Sequence, residues 1–127
     1  MKKVIMTASA PEAIGPYSQG ISVGEWVFAS GQIPLDPKTM EMVGDSVEVQ
    51  TEQVLKNLAS VLESQGMTLG NLVKTTVFLK NMADFPKFNS VYQKFMKEPF
   101  PARATVEVSA LPKGALVEIE GIACREA

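Results

Sequence analysis

Only two stretches of this chain carry the apolar spacing of a helix; the rest reads as strands and turns. That limits the fold, because two helices can cover one face of a sheet of five or six strands and must leave the other bare. In the first stretch Val54, Leu55, Leu58, Val61 and Leu62 recur as i, i+1, i+4, i+7 and i+8, a single apolar stripe. Asp45 is placed to cap it, with Glu48 three residues on as capping-box partner. Gly66 stands where a glycine closes a helix. The second stretch, about Phe85 to Lys97, turns Phe85, Phe88, Val91, Tyr92, Phe95 and Met96 to one side. Asp84 is its expected cap, Pro86 lies in the tolerant first turn, and Pro99 and Pro101 stop it.

Strand patterns fill the remainder. Lys2 to Met6 is a short first strand, and Ser9 to Gly20, rich in Gly, Pro and Ser, is a loop. Ile21–Val23 and Trp26–Ser30 flank a hairpin turn at Gly24–Glu25. The chain turns again around Gly31 and from Pro34 to Pro37, and Met40–Val43 is expected as a brief strand. Val73 to Lys80 should place Val73, Thr75, Val77 and Leu79 on one face, and Ala102–Val108 and Leu116–Ala123 close the chain. No repeat or linker interrupts the 127 residues, so the expectation is one α+β domain over 1–127.

Alternation sorts the strand side chains by face. Val117, Ile119, Gly121 and Ala123 share one side, and Leu116, Glu118, Glu120 and Ile122 the other. Ala104, Val106 and Val108 form an apolar set against Arg103, Thr105 and Glu107; Trp26, Phe28 and Ser30 oppose Val27 and Ala29. The expectation is that the apolar sets pack beneath the helices. The mixed sets, with Arg103, Thr105 and Glu107 beside Glu118, Trp26 and Phe28, would then share the bare face. Large apolar groups among charges suit a surface buried between subunits.

Composition removes several chemistries. There is no histidine, which excludes Ser-His-Asp and Cys-His pairs and HExxH zinc sites. The one cysteine, Cys124, cannot form an internal disulfide or build a thiolate metal site, so neither metal nor cofactor is expected. Twelve Lys and Arg against fourteen Asp and Glu give a net charge of −2, which argues against a sequence-independent grip on nucleic acid. No apolar run reaches signal-peptide or transmembrane length, and a cytoplasmic protein is expected.

Two charged residues draw attention. Arg103 follows the rigid Phe100-Pro101 turn, and a guanidinium can grip a carboxylate through two parallel hydrogen bonds. A structural salt bridge to Glu107, Glu118 or Glu120 is the competing use. Glu118 is the natural acid–base candidate where histidine is absent, although a solvated glutamate is the commoner fate. Tyr17 and Ser18 can reach a ligand or satisfy a turn, and Asn89 can bond backbone or substrate.

The run from Phe100 to Val108 (FPARATVEV), then Leu111-Pro112-Lys113 and Val117-Glu118-Ile119-Glu120, resembles the RidA (YjgF) family of reactive-intermediate deaminases. Ala13 to Gly20 (AIGPYSQG), Ser30 to Pro34 (SGQIP) and Val73 to Leu79 (VKTTVFL) agree with it. The resemblance implies a chorismate-mutase-like fold, a mixed sheet with two helices on one face, assembled as a homotrimer around a central barrel with clefts between subunits. It implies hydrolysis of 2-imino acids such as 2-iminobutanoate and 2-iminopropanoate, or their enamines, to 2-oxo acids and ammonia. Arg103 would clamp the substrate carboxylate and Glu118 would hold the attacking water. Tyr17, Ser30, Gly31, Asn89, Ala104 and Thr105 would line the cleft. Many relatives carry cysteine where this chain has Thr105, so a nucleophilic thiol is ruled out at that position. Two other functions compete: a non-catalytic trimer that binds 2-oxo acids, and a ribonuclease or translation inhibitor, against which the acidic balance counts.

Overall fold

The computed structural model describes residues 1–127. β1 (Lys3–Ile5), β2 (Gly20–Val23) and β3 (Trp26–Gln32) precede α1 (Val47–Glu63); β4 (Leu72–Leu79), α2 (Phe85–Phe95), β5 (Ala102–Glu107) and β6 (Val117–Cys124) follow. The strands form one sheet in the order β1-β2-β3-β6-β4-β5. Neighbours are antiparallel except β4 and β5, which run parallel and are joined through α2. No helix is long and apolar enough to cross a membrane.

The expected helical stripe makes the core. Val54, Leu55, Leu58, Val61 and Leu62 are all fully buried, together with Val27, Val77, Val117, Ile119 and Ala123 of the sheet. Each of these Val, Leu and Ile side chains contributes roughly 1.5–3 kcal/mol by leaving water. Gly66 takes the left-handed conformation past the end of α1, with φ 73°.

Several boundaries move from their expected places, each for a local reason. Ser46, not Asp45, caps α1: its hydroxyl accepts from the Val49 N–H at 3.2 Å. Glu48 then lies in the first turn, where it favours the helix dipole without closing a capping box. Asp84 makes no side-chain cap, because the chain enters α2 from a 3₁₀ turn over Met82–Asp84. That turn is held by Asn81, which accepts from Ala83 N–H, and by Glu107, which accepts from Met82 N–H at 2.7 Å. α2 stops at Phe95 because Met96 is already extended. Met40–Val43 is no strand; a single bridge joins Leu35 to Met42, and Met40 sits at φ 60°. A bulge between Leu72 and Lys74 lifts Val73 out of register, so Leu72 fills the core position instead.

The larger correction concerns β5. Its parallel register sets Arg103 beside Thr75, Thr105 beside Val77 and Glu107 beside Leu79, all buried partners beneath the helices. Arg103, Thr105 and Glu107 therefore lie on the helix side, and Ala104 and Val106 on the bare side. Alternation tells which residues share a face, and composition alone points the apolar trio at the core. At this sheet edge, however, the aromatic side of α2 takes the arginine. The bare face does carry Glu118, Glu120, Ile122, Trp26 and Phe28, the last two 44% and 43% exposed.

Candidate active site

Glu118 lies near the start of β6, paired with Phe78 of β4, with its side chain away from the helices. Beside it β3 carries one residue more than β6 between the Ala29–Gly121 and Gln32–Ile119 pairs. This bulge contains Ser30 and Gly31, and bulges of this kind re-aim backbone beside functional groups. The Glu118 carboxylate leans over Gly31 so closely that a methyl group on residue 31 would overlap it. Burial raises the Glu118 pKa above its ordinary 4.5, and the like charge of Glu120 pushes the same way. The ionised group is thus a stronger base than an exposed glutamate.

The loop before β2 forms the wall of this cleft. Buried Gln19 holds the loop together: its Oε1 accepts from Thr7 N–H at 2.7 Å, and its amide donates to the carbonyls of Thr7, Ala10 and Pro11. The Gln19 carbonyl accepts from Ser30 N–H, and the Ser30 hydroxyl donates to the Ser18 carbonyl, which ties the bulge to the same loop. Tyr17 is 53% exposed at the rim, and its hydroxyl accepts from Ile14 N–H. Tyr17, Ser30, Gly31 and Glu118 border one cleft of ≈ 550 Å³.

Arg103 lies elsewhere. Its Nη1 donates to Asn89 Oδ1 at 2.9 Å, and its guanidinium carbon stands 4.9 Å from the Tyr92 ring centre, 5.4 Å from Phe85 and 5.8 Å from Phe88. The ion pairs within the chain are Lys56–Glu52 and Arg125–Glu25, so the competing bridge from Arg103 to Glu107, Glu118 or Glu120 does not form. Arg103, Asn89, Tyr92 and Phe100 border a second cleft of ≈ 560 Å³ that shares no residue with the first. Thr105, two residues along the same face, has a buried hydroxyl with no hydrogen-bond partner in the chain. Ala104 points to the bare face, opposite Arg103.

The expected site residues thus divide in two. Tyr17, Ser30, Gly31 and Glu118 come together, as do Arg103 and Asn89, but the two groups sit on opposite sides of the sheet. Sequence reasoning passed over Gln19, Tyr92 and Phe85. Gln19 stands inside the Gly-Pro-Tyr-Ser-Gln-Gly motif, and a polar Asn89 interrupting the stripe of Phe85, Phe88 and Tyr92 was the signal for the others. No cluster of three or more His, Cys, Asp or Glu side chains is placed to hold a metal ion.

Known proteins share both the sequence and the fold. Residues 7–125 match the family model described as Endoribonuclease L-PSP. The chain belongs to this family, that of the RidA/YjgF proteins. It is 52% identical over 126 residues to a RutC family protein of Pyrococcus horikoshii, covering 99% of this chain and 100% of that one. It is 48% identical over 128 residues to the 2-iminobutanoate/2-iminopropanoate deaminase of Salmonella typhimurium, covering 98% and 99%. Its fold matches the crystal structure of a putative endoribonuclease from Thermotoga maritima with a TM-score of 0.96 at 46% identity over the full length of both chains.

Proposed function

We propose that this protein hydrolyses short-lived 2-imino acids to 2-oxo acids and ammonia, in a cleft completed by two copies of the chain. The observation that carries this reading is the separation of Arg103 from Glu118. Each borders its own open cleft, one offers unpaired donors and the other a carboxylate of raised pKa, and one protomer cannot bring both to the same small molecule. A second copy that lays its Arg103 half against the Glu118 half of the first closes the gap, and a cyclic homotrimer does so three times. The apolar groups on the bare face suit burial in that assembly.

The chemistry needs little more than placement. A protonated imine carbon is strongly electrophilic, and a fixed carboxylate and water convert addition into an effectively unimolecular step. Arg103 engages the substrate carboxylate, with Asn89 steadying the guanidinium and the Thr105 hydroxyl available to the ligand. Glu118 of the next copy orients water against the imine carbon and accepts its proton as the C–O bond forms. That proton passes to the nitrogen; as the C–N bond breaks, the freed Glu118 carboxylate takes the hydroxyl proton, the carbonyl closes and ammonia leaves. The deaminase name of the Salmonella relative supports this reading. The net charge of −2 weighs against the ribonuclease suggested by the family description.

The test is 2-oxo acid release in a serine or threonine dehydratase reaction with and without the protein. Acceleration that disappears in Arg103→Ala is the expected result. Unchanged imine lifetimes together with saturable 2-oxobutanoate binding would instead identify a non-catalytic binding trimer.

A further inference from the structure

Arg103 stands exposed on the helix side of β5 and is held by no carboxylate, only by one neutral amide and three aromatic rings. Phe85, Phe88, Asn89 and Tyr92 fall at i, i+3, i+4 and i+7, so a single face of α2 supplies every contact. Phe88 and Tyr92 brace each other with ring centres 5.3 Å apart. The Tyr92 hydroxyl shares a 2.7 Å hydrogen bond with the hydroxyl of buried Thr75, which sets the ring's orientation from the neighbouring strand. Burial raises the Tyr92 pKa above its ordinary 10.0, and with its hydroxyl bonded to Thr75 the ring itself meets the guanidinium at 4.9 Å.

We propose that Phe85, Phe88 and Tyr92 form an aromatic seat for the face of the Arg103 guanidinium, making these rings positioning residues for the carboxylate clamp. A seat of this kind attracts the cation by the ring quadrupole and consumes no N–H donor. A carboxylate partner in the same place would neutralise the charge and occupy the edge that the ligand needs. With one N–H spent on Asn89, the remaining donors have no partner within the chain, and the residue borders the cleft. A lysine at 103 would keep the charge and lose both the stacked plane and the fork.

The inference rests on the proposed role of Arg103, and its test separates the two. The chain has two arginines, and Arg125 is bonded to the Gln65 carbonyl and Glu25, so the pair of arginine Nε–Hε resonances is directly assignable. In the ligand-free protein the Arg103 signal is expected upfield of Arg125 through ring currents, and Phe85→Leu should return it toward the Arg125 position. Phe85→Leu, which keeps apolar bulk, should weaken 2-oxobutanoate binding about tenfold and raise KM with kcat nearly unchanged, and Phe85→Tyr should restore both. An Arg103 resonance that Phe85→Leu leaves in place, or binding within about twofold of the original, overturns the seat. A resonance that moves in a protein that does not bind 2-oxobutanoate leaves the seat standing and removes the clamp.

Discussion

The carboxylate of Glu118 occupies the space that a side chain at position 31 would need. Gly31 is required for that proximity and not for an unusual backbone angle, since it is absent from the left-handed positions of the chain. Gly31→Ala should therefore displace Glu118 while the sheet stays folded. Deaminase activity is expected to fall roughly 100-fold, in line with a misplaced acid–base group, and circular dichroism should be unchanged. Full activity in the folded variant would show that Glu118 works from another position.

Glu118 also fixes a pH dependence. Its folded-state pKa is raised, so the folded chain holds a proton that the unfolded chain has released, and stability from this group is lost as pH rises through that window. Glu118→Gln should accordingly raise Tm at pH 7, with the gain vanishing below about pH 4, where both states are protonated. Activity runs the other way: it needs the ionised form and should decline on acidification at a pKa above that of an exposed glutamate. Thermal melts of both proteins across pH 4 to 8 and a coupled-assay pH profile read the two effects.

Arg103→Lys should be nearly as damaging as Arg103→Ala. A charged, bidentate hydrogen-bond pair is worth about 1.5–3 kcal/mol, so KM for the imine should rise roughly ten- to 100-fold in either variant. A lysine variant with ordinary KM would mean that point charge suffices and the planar fork does not matter.

Gln19→Leu tests the loop that carries Tyr17 and Ser18. The substitution removes the amide's bonds to Thr7, Ala10 and Pro11 from a buried setting and should cost about 2–4 kcal/mol in denaturant unfolding. Near-original stability would mean the loop is held by packing alone.

How far the chain could be read in advance follows from what each signal measures. The stripe from Val54 to Leu62 specifies a helix and its buried side together, so α1 and the core beneath it were legible. The cap fell one residue late because Asp45 and Ser46 are adjacent acceptors and only backbone geometry decides between them. The face of Arg103 was not legible. Alternation along β5 pairs Arg103 with Thr105, but only the register against Thr75 and Val77 says which side of the sheet they join. The same limit hid the division of the site: the motifs supply both halves in one chain, and nothing in their spacing reveals that a sheet separates them.

The direct test of that division is complementation between inactive variants. Arg103→Ala and Glu118→Gln proteins, each inactive alone, are unfolded together in equal amounts, refolded and assayed. If each site takes Arg103 from one copy and Glu118 from the next, random cyclic assembly restores about a quarter of the original activity. Activity that stays at the level of the separate variants, with mixed assemblies demonstrated by mass, would mean that one copy supplies both groups and would contradict the account.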